Sequence, residues 1–205
     1  MKKILANAMF IIPFSVLSSE NLVSNGSFEN HSVLTGTWAL LDEIEGWSTE
    51  GAKLEIQKTT INFIDSQSGD SHIELDSTGN YSIYQNIPTV IGKRYKVSFY
   101  YSARVVADNS TNRARASFGD TTLTTMNATT LGWKKYEYSV IATDNVTQIK
   151  FQGLGRSDSL GALLDNVVVT EEEEVTPPEP PVTCKVGVYG INNFGEDNNS
   201  YVYKF

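Results

Sequence analysis

Cysteine occurs once in this 205-residue chain, at Cys184. No internal disulfide can form, so stability has to come from a packed core, and the chain is long enough to bury one. Cys184 reads as a small buried hydrophobe or as a thiol whose partner lies on another chain. Histidine is almost as scarce: His31 and His72 are isolated, and no His-x-x-x-His spacing exists to mark a zinc site. The adjacent Ser71 and His72 do not make a triad, and no Gly-x-Ser-x-Gly elbow or phosphate loop is present. Gly153-Leu154-Gly155 lacks the rest of a nucleotide fingerprint. Positive charge is in short supply too. Sixteen Lys and Arg face 24 Asp and Glu, for a net charge of −8. Such a surface repels phosphate backbones, which argues against a nucleic-acid partner, while it suits solubility and divalent cations.

Long apolar runs are missing except at the start. Lys2 and Lys3 precede an apolar stretch over residues 4–17, interrupted only by Asn7, Pro13 and Ser15, and Val16-Leu17-Ser18 supplies a cleavage-like end. This pattern is that of a bacterial secretory signal peptide spanning residues 1–19, too short and wrongly flanked for a membrane helix. No membrane span is expected elsewhere. The mature protein is expected to be exported, to the extracellular space or cell surface, with the periplasm as the other destination.

What the chain does have is β-type patterning. Ten Tyr, nine Phe and three Trp fall in short alternating runs separated by Gly, Asn and Asp clusters. The clearest run spans residues 95–104. Tyr95, Val97, Phe99, Tyr101 and Ala103 share one face; Lys96, Ser98, Tyr100, Ser102 and Arg104 share the other. The first set predicts core and the second a solvated or ligand-facing sheet. Ile73 and Leu75, Ile83 and Ile87, and Ala114, Ala116 and Phe118 predict inward faces of three more strands. Further strands are expected over 134–141, 148–152 and 163–169. Residues 20–170 therefore read as one all-β sandwich. Residues 171–182 read as an acidic, Pro-rich linker, and 183–205 as a short hairpin-like tail or the start of a second domain, a possible contact for a protein partner.

Several segments in order carry a family likeness: Asn25-Gly26-Ser27-Phe28-Glu29, Gly46-Trp47, Ile73-Glu74-Leu75, Tyr84-Gln85-Asn86-Ile87, Gly92-Lys93-Arg94-Tyr95, Gly132-Trp133 and Leu164-Asp165-Asn166-Val167. Over roughly residues 21–170 the chain resembles the galactose-binding-like jelly rolls. Nearest are the carbohydrate-binding modules of families 4, 9 and 22 and the cell-wall family called domain of unknown function 642. The resemblance implies a jelly-roll β-sandwich. It also implies a structural calcium where the first and last strands meet, with Glu29 and Asp165 as side-chain ligands. The other reading of those two residues is that Glu29 caps backbone amides and Asp165 makes a turn.

Sugar rings present apolar C–H faces and hydroxyl edges, so a sugar site needs aromatic platforms beside hydrogen-bonding side chains. The outward-facing residues Tyr84, Tyr100, Arg104, Arg115, Glu74 and Gln152 offer that mix, and they are expected to gather on one concave sheet. Trp47 and Trp38 are expected in loops at its rim, with Trp133 in the core. The expected function is non-catalytic binding of a polysaccharide; the alternative is a structural or adhesive surface protein with a protein-binding sandwich. Catalysis has thin support. Glu74 and Asp76 share a strand face, as a glycosidase pair would need, but nothing else marks an active site.

Overall fold

The computed structural model describes residues 20–173, apart from 35–36, 60–63, 107 and 109. The expected signal peptide, the tail with Cys184 and all but the first residues of the stretch read as linker lie outside the described residues. The described strands form two sheets, and every pairing between them is antiparallel. The six-stranded sheet runs, in spatial order, β1 (Trp38–Leu41), β3 (Leu54–Lys58), β4 (Ser71–Glu74), β11 (Leu163–Glu171), β6 (Arg94–Ser102) and β9 (Lys134–Ile141). The five-stranded sheet runs β2 (Ser48–Glu50), β5 (Ser82–Pro88), β10 (Val146–Gly153), β7 (Ala114–Phe118) and β8 (Thr121–Met126).

The two-residue period decides which side chains meet between the sheets. Tyr95, Val97, Phe99, Tyr101 and Ala103 are all buried, as are Ile73, Leu75, Ile83, Ile87, Ala114, Ala116 and Phe118. Phe99 of one sheet meets Phe151 of the other edge-on, with ring centroids 5.0 Å apart. Trp47 belongs to this interior rather than to a rim. It is only 3% exposed and lies against Phe28 at 5.3 Å and Phe151 at 6.3 Å. Its indole N–H is satisfied by the Asn25 carbonyl at 3.0 Å. Trp133, expected in the core, is instead half-buried and lies edge-on to His72.

Three strands near the start were not among those expected. Trp38 sits on β1, not in a loop, and β2 and β3 follow it closely. At the other end β11 continues to Glu171, one residue into the stretch read as linker, and the Glu172 amide donates to the Arg94 carbonyl at 2.8 Å.

The segment before β1 is laced to β11. Leu22 N–H donates to Val169 O, Val167 N–H donates to Gly26 O, and Asn21 Oδ1 accepts from the Val169 amide. Asn25 and Phe28 hold positive φ values of 50° and 59°, which bends the chain so that Phe28 enters the core. Gly26 allows this approach, because a Cβ there would collide with the Val167 carbonyl. Gly26→Ala is expected to lower unfolding stability by about 1–3 kcal/mol. Urea denaturation monitored by tryptophan fluorescence checks this, since Trp47 reports on the same junction.

Candidate functional site

The seven residues expected to bind sugar do not share one surface. Tyr84, Gln152 and Arg115 lie on the outer face of the five-stranded sheet. There Lys150 sits 6.0 Å from the Tyr84 ring and pairs with Glu50. Tyr100, Glu74 and Arg104 belong to the opposite, outer side of the six-stranded sheet, and Trp47 is core. Period-two alternation separates inward from outward within a strand, but it does not say which of two sheets the strand joins.

The outer side of the six-stranded sheet is itself partly covered. Trp133 packs over His72 and donates its indole N–H to the Asp65 carbonyl at 2.7 Å. Ser66 reaches His72 Nδ1 at 2.9 Å, and the Gln67 and Ser68 amides reach Asp165. A second loop brings Gly161 N–H to Glu74 Oε1 at 2.5 Å. Gly161 is required at that approach, because a Cβ there would lie 2.6 Å from the Asp76 nitrogen.

Between these covers a cleft of about 320 Å³ remains open. Its floor and walls are Trp38 and Leu40 of β1, Glu55 and Gln57 of β3, Ser77 and Thr78 after β4, and Arg104 and Ser159 opposite. The register explains the grouping: Trp38 pairs with Gln57, and Leu40 pairs with Glu55, which pairs in turn with Glu74. Trp38 is 56% exposed, whereas Glu55 is 6% and Gln57 1% exposed. An open aromatic thus stands beside polar groups that are already held in place. Glu55 and Gln57 were not among the sequence candidates, although Leu54-Glu55-Ile56-Gln57-Lys58 alternates as a strand should. That alternation was the signal available.

Glu74 organises these groups from behind. It is fully buried, and its carboxylate receives Gln57 Nε2, Arg104 Nη1 and the Gly161 amide. Gln57 Nε2 also donates to Glu55 Oε1 at 2.8 Å, so one amide group bridges two carboxylates. Arg104 Nη1 further donates to the Ser159 carbonyl at 3.0 Å. Burial pushes the Glu74 carboxyl up from its ordinary range and the Glu55 charge adds to this, while Arg104 and Gly161 pull it down. Each of these three partners donates, which is the arrangement that suits an ionised carboxylate. Tyr81 completes the support. Its hydroxyl donates to the Glu74 carbonyl and accepts the Glu55 amide at 3.2 Å, tying β3 to β4 from the core side.

The calcium expected at Glu29 and Asp165 does not fit these residues. Asp165 Oδ2 accepts the Gln67 and Ser68 amides at 2.8 and 3.0 Å, and Oδ1 accepts the Asn166 amide at 2.6 Å. Glu29 Oε1 accepts the Asp70 and Ser71 amides at 3.0 and 2.8 Å, and Oε2 accepts the Ser71 hydroxyl at 3.2 Å. Calcium needs six to eight oxygen ligands, and here the groups aimed at both carboxylates are hydrogen-bond donors. Among the described residues no group of three or more His, Cys, Asp and Glu could hold a metal. Glu29 and Asp165 instead fasten the 65–71 loop over the sheet. Burial pushes Asp165 up to about 7, against the pull of its amide donors.

Ser71 and His31 also lie together, with His31 Nε2 2.9 Å from Ser71 Oγ. His31 Nδ1 accepts the Val33 amide at 2.9 Å, so the ring proton sits on Nε2 and points at the serine. Lys58 Nζ donates to the same oxygen at 2.8 Å. The hydroxyl faces two donors, donates its own hydrogen bond to Glu29 Oε2, and is fully buried. This is a structural cluster, with no base placed by the imidazole for a nucleophilic serine. A larger cleft of about 540 Å³ opens beside His31, between Asn30 and the 41–46 segment, but no Trp, Tyr or Phe is among the described residues that line it.

The fold and its strand order define a galactose-binding-like jelly-roll sandwich. The chain belongs to the family described as protein of unknown function DUF642, whose profile matches residues 21–170. It is 28% identical over 160 residues to a multifunctional-autoprocessing repeats-in-toxin protein of Vibrio cholerae, and 27% identical over 154 residues to one of Vibrio vulnificus. The matches cover 77% and 74% of this chain, but the chain spans only 3% of the length of either curated relative. Among solved structures it is similar to TmCBM61 in complex with β-1,4-galactotriose, with a TM-score of 0.53 and 18% identity. That match covers 75% of this chain and all of the other.

Two outcomes follow from the buried charges. Arg104→Met leaves the Glu74 carboxylate buried without its cation and is expected to cost about 3–5 kcal/mol. Adding Glu74→Gln should recover more than half of that loss in a chemical denaturation series. The second concerns His72, which burial, with help from the Arg104 charge, lowers to about 4. The folded state then binds fewer protons than the unfolded state between about pH 6.5 and 4. The stability this residue contributes is present above that window and is lost as pH falls through it. NMR of the His72 ring should show a neutral imidazole at pH 5, where a free histidine is mostly charged.

Proposed function

We propose that this chain is a carbohydrate-binding module of an exported bacterial protein, working outside the cell on a polysaccharide without altering it. Its sugar site, on this reading, is the cleft between Trp38 and Arg104. The observation that carries the proposal is the pairing of an exposed indole with buried, mutually bonded polar side chains in one small cleft. Trp38 is the one large aromatic among the residues lining it. A pyranose ring can lay its C–H face on that indole while its hydroxyls meet Glu55, Gln57 and Ser159. The polar groups are held by Glu74 and Tyr81 before any ligand arrives, so little conformational freedom is lost on binding. A cavity of this size takes one or two sugar rings, which suits a module that grips a chain end or a side branch.

The test is affinity gel electrophoresis against soluble galactan, xylan, mannan and mixed-linkage glucan. Galactan heads the panel because TmCBM61, of the same fold, was solved with β-1,4-galactotriose. At least one polysaccharide should retard the protein, and Trp38→Ala should weaken binding at least tenfold, or about 1.4 kcal/mol. Arg115→Ala, on the opposite sheet, should leave binding unchanged. Retardation lost in Arg115→Ala but kept in Trp38→Ala would move the site to the five-stranded sheet. No retardation by any polysaccharide would favour a structural or adhesive role.

A further inference from the structure

We infer that the Trp38–Arg104 cleft selects neutral sugars and rejects uronic acids, with the Glu55 carboxylate as the residue that discriminates; this rests on the carbohydrate-binding reading of the same cleft. The argument starts from a count of charge. Two charged side chains line the cleft, Glu55 and Arg104. Arg104 looks like the natural partner for a sugar carboxylate, but its guanidinium is committed. Nη1 is bonded to the fully buried Glu74 carboxylate and to the Ser159 carbonyl, and the side chain is only 18% exposed. The Glu74 and Arg104 charges cancel, which leaves Glu55 as the net charge the cleft presents.

Glu55 is held where that charge counts. Its Oε1 is fixed by Gln57 Nε2 at 2.8 Å, and its backbone by the Tyr81 hydroxyl at 3.2 Å. Gln57 in turn is anchored by Glu74, so Glu55 cannot swing away without breaking a chain of three bonded side chains. Around a residue 6% exposed, water screens poorly, and a second carboxylate brought into the cleft would meet an unscreened like charge. A sugar hydroxyl in that place does the opposite, because it donates to the carboxylate in a strong, charge-assisted hydrogen bond. Behind the cleft lies one more acid. Asp76 is fully buried, with its carboxylate turned to the Asp158 and Ser159 amides, and it adds to the negative field. The exchange of one C6 hydroxymethyl group for one carboxylate is therefore what the cleft reads most strongly.

The experiment uses ligand pairs that differ only at C6. Oligosaccharides of galactose, galacturonic acid and methyl galacturonate, and the matching gluco series, compete for the protein bound to the best polysaccharide of the panel above. The neutral member of the preferred series should compete at least tenfold better than its uronate. The methyl ester, uncharged but otherwise the same, should recover most of the difference. Glu55→Gln keeps the shape and the bond to Gln57 and should narrow the ratio to threefold or less; the methyl ester serves as the check if that variant does not fold. Equal or tighter binding of the uronate would overturn the inference while leaving the carbohydrate reading standing. So would a methyl ester that binds no better than the acid. Failure of the protein to bind any polysaccharide would overturn both.

Discussion

Glu74 is a carboxylate with no exposed surface, and a large part of the molecule is arranged around that charge. A carboxylate removed from water must meet donors, or its burial costs several kcal/mol. Three segments far apart in sequence supply them: Gln57 from β3, Arg104 from just past β6, and Gly161 from the loop leading into β11. The same network sets the rotamers of Glu55 and Gln57 and immobilises Arg104. The cleft is thus a by-product of satisfying one buried charge, and its polar groups come ready-oriented for that reason.

Carboxylates recur across this fold in the same role, Asp165 and Asp76 fully buried and Glu29 partly so. Asp165 and Glu29 take the amides of the 65–71 loop, and Asp76 takes the amides of the loop at 158–159. A loop laid over a sheet hides backbone N–H groups that can no longer reach water, and each must find an acceptor. In this chain acidic side chains provide it. That accounts for part of the acidic composition in structural terms, separately from solubility. It also explains why the acidic pair of Glu29 and Asp165, where the segment before β1 meets β11, bonds to amides.

Both sides of the six-stranded sheet are used, but differently. One packs against the five-stranded sheet through Phe99, Phe151 and the aliphatic residues around them. The other is covered in its middle by Trp133 and the 65–71 loop; it stays open along β9 and where β1 and β3 form the opposite edge. Placing the open part at an edge is what leaves a cleft instead of a flat surface. Trp38 owes its exposure to that position on the outermost strand.

Alternation along single strands was legible from residue types alone. The inward faces of β4, β5, β6 and β7 follow from a two-residue period, because a side chain on a strand must point to one face or the other. Motif order likewise placed the chain among the jelly rolls. The site was less legible. Tyr84, Arg115 and Gln152 were outward, as expected, yet they sit on the wrong sheet to meet Arg104, and Trp47 turned inward because Phe28 and Phe151 enclose it. The pairing of Glu74 with Arg104, the Gly161 amide on Glu74 and the loop amides on Asp165 depend on contacts across 30 residues or more. No local pattern encodes those contacts. The sequence by itself determined which faces of the clear strands turn inward and that the chain forms a sandwich, since both are written in short runs and their order along the chain. Only the tertiary structure decided where a ligand could enter, since that depends on which strands lie side by side and on which buried charge each polar group must serve.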